Sequence, residues 1–274
     1  MKTILVPTDF STVSENAVNY AAEIAKVTKA KLILFHVYHM PVTATEVPIV
    51  LPNVDELEKD CMEGLLQIST RLHSKLSTTN IECIVKCGFP VDEINQYTQN
   101  SKIDLIVVGM KGAGYLTEKL IGSVTTSLIQ TSNCPVLVID EKVKFRSIRK
   151  IVLACDYNET ENKKVLEPMK EFAHLFKSHV YVLNVLRKSE PVEPVTEVVS
   201  DFIKLEHTLA DTTHSFHYLS NEKIIDGINE FVSEGKMDMV VMIPRKHSVL
   251  RNIFNEPNTK KMAFHSIVPL LAIH

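Results

Sequence analysis

Ile103-Asp104-Leu105-Ile106-Val107-Val108-Gly109-Met110-Lys111-Gly112 is the stretch that decides the fold of this chain. Its first six residues form a short, largely β-branched run with almost no polar interruption, which reads as a strand covered on both faces. The chain then turns at two glycines. After nine further residues it reaches Gly122-Ser123, from which Val124, Thr125, Thr126, Ser127, Leu128 and Ile129 continue as a helix with Ser123 as the expected cap. A strand, a glycine loop and a helix start in this order make a backbone cradle for an anion, because the open N–H groups and the positive end of the helix dipole face the loop. Glycine lets a phosphate approach the backbone and reaches φ > 0 freely. The first half of the chain is therefore expected to hold a nucleotide, although the same glycines also suit a plain tight loop.

Two commoner phosphate motifs are excluded by inspection. A Walker loop needs Gly-Lys-Ser/Thr where Gly114 is followed by Tyr115 and Leu116, and a dinucleotide fingerprint needs a third glycine where Thr117 stands.

Outward from the cradle, the chain repeats itself. Ile4-Leu5-Val6-Pro7-Thr8-Asp9 returns as Ile151-Val152-Leu153-Ala154-Cys155-Asp156, and Ala30 to Val37 returns as Ser178 to Val185. The strand before the cradle has its partner in Met237 to Met242, and Pro135 to Ile139 in Pro269 to Ile273. Four matched segments in one order predict two copies of one domain, residues 1–141 and 148–274. The charged join, Asp140 to Ser147, is short, so the copies should pack against each other.

Within the first copy the pattern predicts strands at 2–7, 31–38, near 81–87, 103–108 and 135–139. Helices are expected at about 12–28, 55–75, 90–100 and after the cradle. A loop bearing Pro41, Pro48 and Pro52 separates the second strand from the second helix. Strands separated by helices imply a parallel, doubly wound α/β sheet with helices on both faces. Pro168, inside the first helix of the second copy, predicts a kink or a late start there.

Composition narrows the setting. The 274 residues are 45% hydrophobic and 23% charged with a net charge of −3, which gives no electrostatic reason to expect nucleic acid or an anionic membrane. No run approaches a membrane span. Met1 leads straight into a strand, leaving no room for a signal peptide, and Cys61, Cys83, Cys87, Cys134 and Cys155 lack any Cys-x-x-Cys spacing. Reduced structural thiols in a cytoplasmic protein are expected.

In doubly wound sheets ligands collect at the carboxyl ends of strands where the strand order reverses. Asp9 lies just past the first strand and Gly109 just past the fourth, so adjacency of those strands would put both on one crevice. Asp9 could meet ribose hydroxyls, or serve only as the lead-in to a helix through Asp9-Phe10-Ser11. His36 with His39, and His214 with His217, are three apart on or beside strands, which sends each pair to opposite faces and argues against a metal site. No nucleophile, base and acid stand in a catalytic pattern. The basic group Arg245-Lys246-His247 is a solvated face or an anion contact of another kind.

These residues carry a family resemblance. With Val6-Pro7-Thr8-Asp9 near the start, Gly109, Gly112, Gly122 and Ser123 in the pattern Gly-x2-Gly-x9-Gly-Ser, and Cys134-Pro135-Val136-Leu137-Val138 closing the repeat, the chain resembles the universal stress protein family. The resemblance covers essentially the whole chain as two tandem copies. It implies a five-stranded parallel sheet of the adenine nucleotide alpha hydrolase-like kind and, for members with this glycine motif, binding of ATP. By position Asp9 would contact ribose, the backbone of Val37 the adenine, and Gly109, Gly112, Gly122, Ser123 and the Val124 amide the ribose and phosphates. Pro7, Thr8, Met110 and Thr125 complete the implied contacts. Magnesium accompanying a triphosphate would rely on phosphate and water, since no carboxylate cluster is present.

The second copy departs from the pattern. Aligning Pro135 with Pro269 puts Ile243, Lys246, Glu256 and Pro257 at the positions of Gly109, Gly112, Gly122 and Ser123, although Asp156 remains. Glu256 adds negative charge and Pro257 removes an N–H and a hydroxyl, so one ATP per chain is expected. The resemblance points to a nucleotide-responsive stress or signalling module. The alternatives are an enzyme that slowly hydrolyses ATP or phosphorylates itself at Ser123 or Thr125, and a structural interaction module with a vestigial site. A tandem pair would also imitate the two-subunit assembly of single-domain relatives, which leaves a homodimer of the whole chain open.

Overall fold

A computed structural model of the protein describes residues 1–39, 54–75, 80–110, 121–155, 163–187, 195–243 and 268–273. The first half runs β1 (Thr3–Pro7), α1 (Thr12–Thr28), β2 (Lys31–Tyr38), α2 (Val54–Lys75), β3 (Ile81–Cys87), α3 (Pro90–Asn100), β4 (Leu105–Gly109), α4 (Ser123–Thr131) and β5 (Val136–Ile139). Among the described residues the second half follows that order up to its fourth strand, with β6 (Lys150–Ala154), α5 (Glu167–Phe176), β7 (His179–Arg187), α6 (Val195–Thr208), β8 (His214–Asn221), α7 (Ile224–Glu234) and β9 (Met239–Met242), and its last strand is β10 (Leu270–Ala272). The proline-bearing loop expected after β2 lies outside the described residues.

Alternation of strand and helix produces the doubly wound α/β architecture. Each half contributes five parallel strands, in the order β3-β2-β1-β4-β5 and β10-β9-β6-β7-β8. The two sets are one sheet. β5 and β10 pair antiparallel, with Val138 opposite Leu270, Leu137 opposite Leu271 and Val136 opposite Ala272. A single ten-stranded sheet therefore crosses the boundary between the copies, which the strand pattern of either half does not announce.

The alternation along β4 explains its double burial. Leu105 and Val107 pack in the cluster that holds Ala17, Val18 and Ala21 of α1, whereas Ile106 and Val108 join Leu128 and Ile129 of α4. All five strand residues are buried. The strand begins at Leu105 rather than Ile103 because Asp104 turns its carboxylate aside: Oδ2 accepts the amides of Lys2 and Thr3 at 2.5 and 2.9 Å. The second half repeats this clasp, with Asp238 Oδ2 accepting from Arg149 N and Lys150 N at 2.8 and 2.9 Å. It ties the strand before each glycine position to the first strand of its own half.

Pro168 marks a late start. A 3₁₀ turn at Lys163–Leu166 precedes α5, and Pro168 occupies its first turn, where a missing N–H costs no intrahelical bond. The join between halves is held by α1: Asn16 Nδ2 donates to the carbonyls of Asp140 and Val143, both at 2.8 Å. Phe145 then bridges Tyr20 of α1 and Phe176 of α5, with ring centroids 5.2 and 6.1 Å away.

Candidate functional site

β1 and β4 are neighbours, with Ile4 opposite Leu105, so the strand order reverses between β1 and β4. At their carboxyl ends opens a cleft of about 140 Å³, lined by Pro7, Thr8, Asp9, Val37, Gly109, Gly122, Ser123, Val124 and Thr125. The structure thus brings nine of the eleven residues named from the sequence to one cleft. Met110 is buried and stands apart from its lining, and Gly112 lies outside the described residues. Ser14, Phe35, Pro90, Ile94 and Val108 also line the cleft, and the motif does not single them out. The period-two alternation of β2 carries a signal for Phe35, which shares a face with Val37; Pro90 and Ile94 depend on how α3 docks.

The turn from β1 into α1 is made by side chains. Asp9 Oδ1 accepts from Ser11 N at 3.1 Å and Ser11 Oγ at 2.5 Å, and Ser11 Oγ in turn caps the helix by accepting from Ser14 N at 3.2 Å. The helix-entry role of Asp9 is therefore real, and it leaves the exposed carboxylate at the cleft rim. Phe10 takes a left-handed backbone conformation, φ 63°, rare for a bulky residue. Its ring lies 4.5 Å from that of His36, and Gly64 of α2 makes room for it, since a Cβ there would sit 3.0 Å from the Phe10 ring. The Nδ1 of His36 lies 2.8 Å from the Thr8 carbonyl; a carbonyl can only accept, so the proton is on Nδ1.

Register fixes the direction of the Val37 backbone. Thr8 N donates to Phe35 O at 2.9 Å, which shows that Phe35 presents its backbone groups to β1. Residues two apart on a strand face the same neighbour, so Val37 presents its N–H and C=O the same way. β1 has ended by then, at Pro7 opposite Phe35. The donor and acceptor of Val37 consequently project over the strand end, one above the cleft.

Two expectations about the glycine loop are corrected. The N-cap of α4 is Gly122, at φ −61° and ψ 150°, and Ser123 is the first helical residue, not the cap. A glycine is itself an acceptable N-cap, and here its carbonyl takes the first helical bond from Thr126 N at 2.9 Å. Nor does Gly109 take left-handed geometry. A Cβ on it would lie 2.9 Å from Val13 Cγ1 and 3.1 Å from the Val13 carbonyl carbon and oxygen, so the absent side chain serves the close approach of α1.

The loop is closed at its base. Met110 N donates to Ile139 O at 2.9 Å, and Gly122 N donates back to Met110 O at 2.7 Å. The Thr125 hydroxyl is buried and donates to Gly109 O at 2.8 Å. That bond commits the hydroxyl proton to the base of the loop; the backbone amide of Thr125, like that of Val124, belongs to the open first turn of α4 and has no intrahelical acceptor.

The second half reproduces the scaffold and alters the cleft. Cys155 N donates to Leu183 O at 3.2 Å and Asn184 Nδ2 to Cys155 O at 3.4 Å, mirroring the Thr8, Phe35 and His36 contacts. Val185, the counterpart of Val37, is 7% exposed, because Gly227 brings α7 so close that a Cβ there would lie 2.9 Å from Val185 Cγ1. Ile243, at the position of Gly109, is fully buried. Asp156, Lys246, Glu256 and Pro257 lie outside the described residues. The histidines are engaged elsewhere: His214 with Glu206 at 3.0 Å, His217 with Ser215 at 2.8 Å. Among the described residues no group of three or more His, Cys, Asp or Glu could hold a metal ion, and no helix is long and apolar enough to cross a membrane.

A sheet whose strand order reverses between β1 and β4, with helices on both faces, defines a doubly wound α/β protein. The chain belongs to the universal stress protein family, whose sequence pattern matches residues 1–140. Universal stress protein YxiE of Bacillus subtilis is 31% identical over 143 residues, covering 50% of this chain and 97% of that protein. A universal stress protein of Archaeoglobus fulgidus shares the fold across 98% of this chain and 95% of its own, with a TM-score of 0.70 at 19% identity. A universal stress protein solved in complex with cAMP is 27% identical over 50% of this chain and 96% of its own, with a TM-score of 0.40.

Proposed function

We propose that the first half of this chain binds one adenine nucleotide, ATP, and that occupancy makes the protein a nucleotide-responsive stress or signalling module of the cytoplasm. The observation that carries this reading is the convergence on one cleft of three unlike partners: the Asp9 carboxylate, the outward N–H and C=O of Val37 and the open first turn of α4. A donor and acceptor side by side match the edge of adenine, the carboxylate suits ribose hydroxyls, and the helix start suits phosphate. Phe35, Val108 and Ile94 supply apolar wall for the base. The described residues offer no acidic cluster for magnesium, so an ion arriving with the triphosphate would be held by phosphate and water.

We further infer two universal stress protein units, residues 1–141 and 148–274, of which only the first takes nucleotide in this manner. The burial of Val185 beneath α7, where Val37 lines an open cleft, and a branched Ile243 at the position of Gly109 support that asymmetry.

Mass spectrometry of the denatured, purified protein should release adenine nucleotide, and calorimetric titration should give about one ATP per chain. Gly122→Glu should abolish binding; the backbone angles at 122, φ −61° and ψ 150°, admit any residue, and circular dichroism of the variant checks that it stays folded. Unchanged affinity in that variant would refute the site.

A further inference from the structure

Phe89 breaks the local rules of its position. It is the N-cap of α3, at φ −93° and ψ 128°, and makes no side-chain cap, where Ser, Thr, Asp or Asn would be preferred. Its ring is 70% exposed, so burial does not explain it either. The turn that presents it is held firmly. Gly88 sits at φ 154° with its Cβ position blocked by Glu93 Oε1 at 2.6 Å, and its N–H donates to Tyr38 O at 3.0 Å, fastening the start of α3 to the end of β2.

That fastening sets Phe89 beside the cleft rim, next to a lining residue but outside the lining itself. Pro90, the next residue, lines the cleft, as does Val37 one residue before Tyr38. His39, one residue after Tyr38, meets the Phe89 ring edge-to-face with centroids 5.2 Å apart. An exposed aromatic pair thus stands beside the backbone groups that suit a base edge.

We propose that Phe89, oriented by His39, is the stacking face for the nucleobase, closing over a planar ring whose edge is read by Val37. This inference rests on the nucleotide reading above and assigns it a residue that contributes affinity through the ring face. An exposed aromatic face suits every base; discrimination among bases falls to the edge. Local rules are broken most often where a side chain serves a ligand and not the fold.

The chain contains no tryptophan, so Phe89→Trp installs a single reporter. ATP and adenosine should quench its fluorescence, whereas inorganic tripolyphosphate should not. Phe89→Ala should weaken ATP, ADP and adenosine alike by about 5- to 150-fold, the span expected for loss of one base–aromatic stack, and leave tripolyphosphate affinity unchanged. Phe89→Ser should bind nucleotide as weakly as the alanine variant while raising the melting temperature of the nucleotide-free protein by about 2–4 °C through the restored cap. ATP affinity of Phe89→Ala equal to that of the unmodified chain, or fluorescence of the Phe89→Trp variant that stays constant under saturating ATP, would overturn the stacking role alone. An unmodified chain that binds no adenine nucleotide would overturn the nucleotide reading and the stacking role together.

Discussion

Gly109 and Val13 are in van der Waals contact so close that residue 109 has no space for a side chain: a Cβ would stand 2.9 Å from Val13 Cγ1 and 3.1 Å from the Val13 carbonyl. The last residue of β4 and the first turn of α1 are thereby locked together, and both border the cleft. Gly109→Ala should cost about 1–3 kcal/mol in urea unfolding, the range for overpacking a filled interior. Adding Val13→Ala should recover only part of that loss, because the methyl contact is relieved and the backbone contact remains.

Thr125 offers a way to separate scaffold from ligand. Thr125→Val removes the hydroxyl that bonds Gly109 O at 2.8 Å and leaves a buried carbonyl without that donor. Unfolding free energy should fall by about 1–3 kcal/mol. Nucleotide affinity measured calorimetrically should change by less than about threefold, since the amide of residue 125 and its helix survive.

The paired aspartate clasps should differ in strength. Asp238 receives two backbone amides and also the Arg146 guanidinium at 3.0 Å, with its side chain 12% exposed, whereas Asp104 is exposed. Asp238→Ala should destabilise by about 2–3 kcal/mol and Asp104→Ala by about 1 kcal/mol, read from chemical denaturation of the full chain.

His214 should give a signed pH dependence. Burial works against its charge, but the Glu206 carboxylate at 3.0 Å and the Thr212 carbonyl at 2.8 Å outweigh it and hold the imidazole pKa above its ordinary value. A proton held more tightly in the folded state stabilises fully below the unfolded pKa of about 6.5 and ceases to do so as pH rises through the folded value. The stability difference between the unmodified chain and His214→Gln should therefore be largest near pH ~5.5 and shrink toward pH ~8.

The sequence makes the elements legible because their periodicities are strong. The second strand and third helix fall at 31–38 and 90–100 as read, since Leu32 to Val37 is a continuous apolar run broken only by His36, and Pro90 opens a helix bounded by Ser101. The cleft is legible through Asp9, Gly109 and Gly122, whose spacing along the chain survives in space. What spacing cannot carry is the reason for Gly109, which depends on α1 docking at Val13, or the choice of Gly122 over Ser123 as cap, which turns on one residue's backbone angle. The β5 and β10 pairing is likewise hidden, because Val136 to Val138 and Leu270 to Ala272 look like ordinary strand ends until two edges meet. Phe89 lies at the limit: the residue is plain in the sequence, its exposure is not.

The antiparallel seam between β5 and β10 changes how such a protein behaves at low abundance. Two sheets meeting at that seam as separate chains would part on dilution, since their association is bimolecular. Joined through the short stretch from Asp140 to Arg149, the two edges meet at an effective concentration set by the tether and independent of how many copies a cell holds. The second half can then carry Ile243 and a buried Val185 where the first half has Gly109 and Val37, and still supply the strand that extends the first half's sheet.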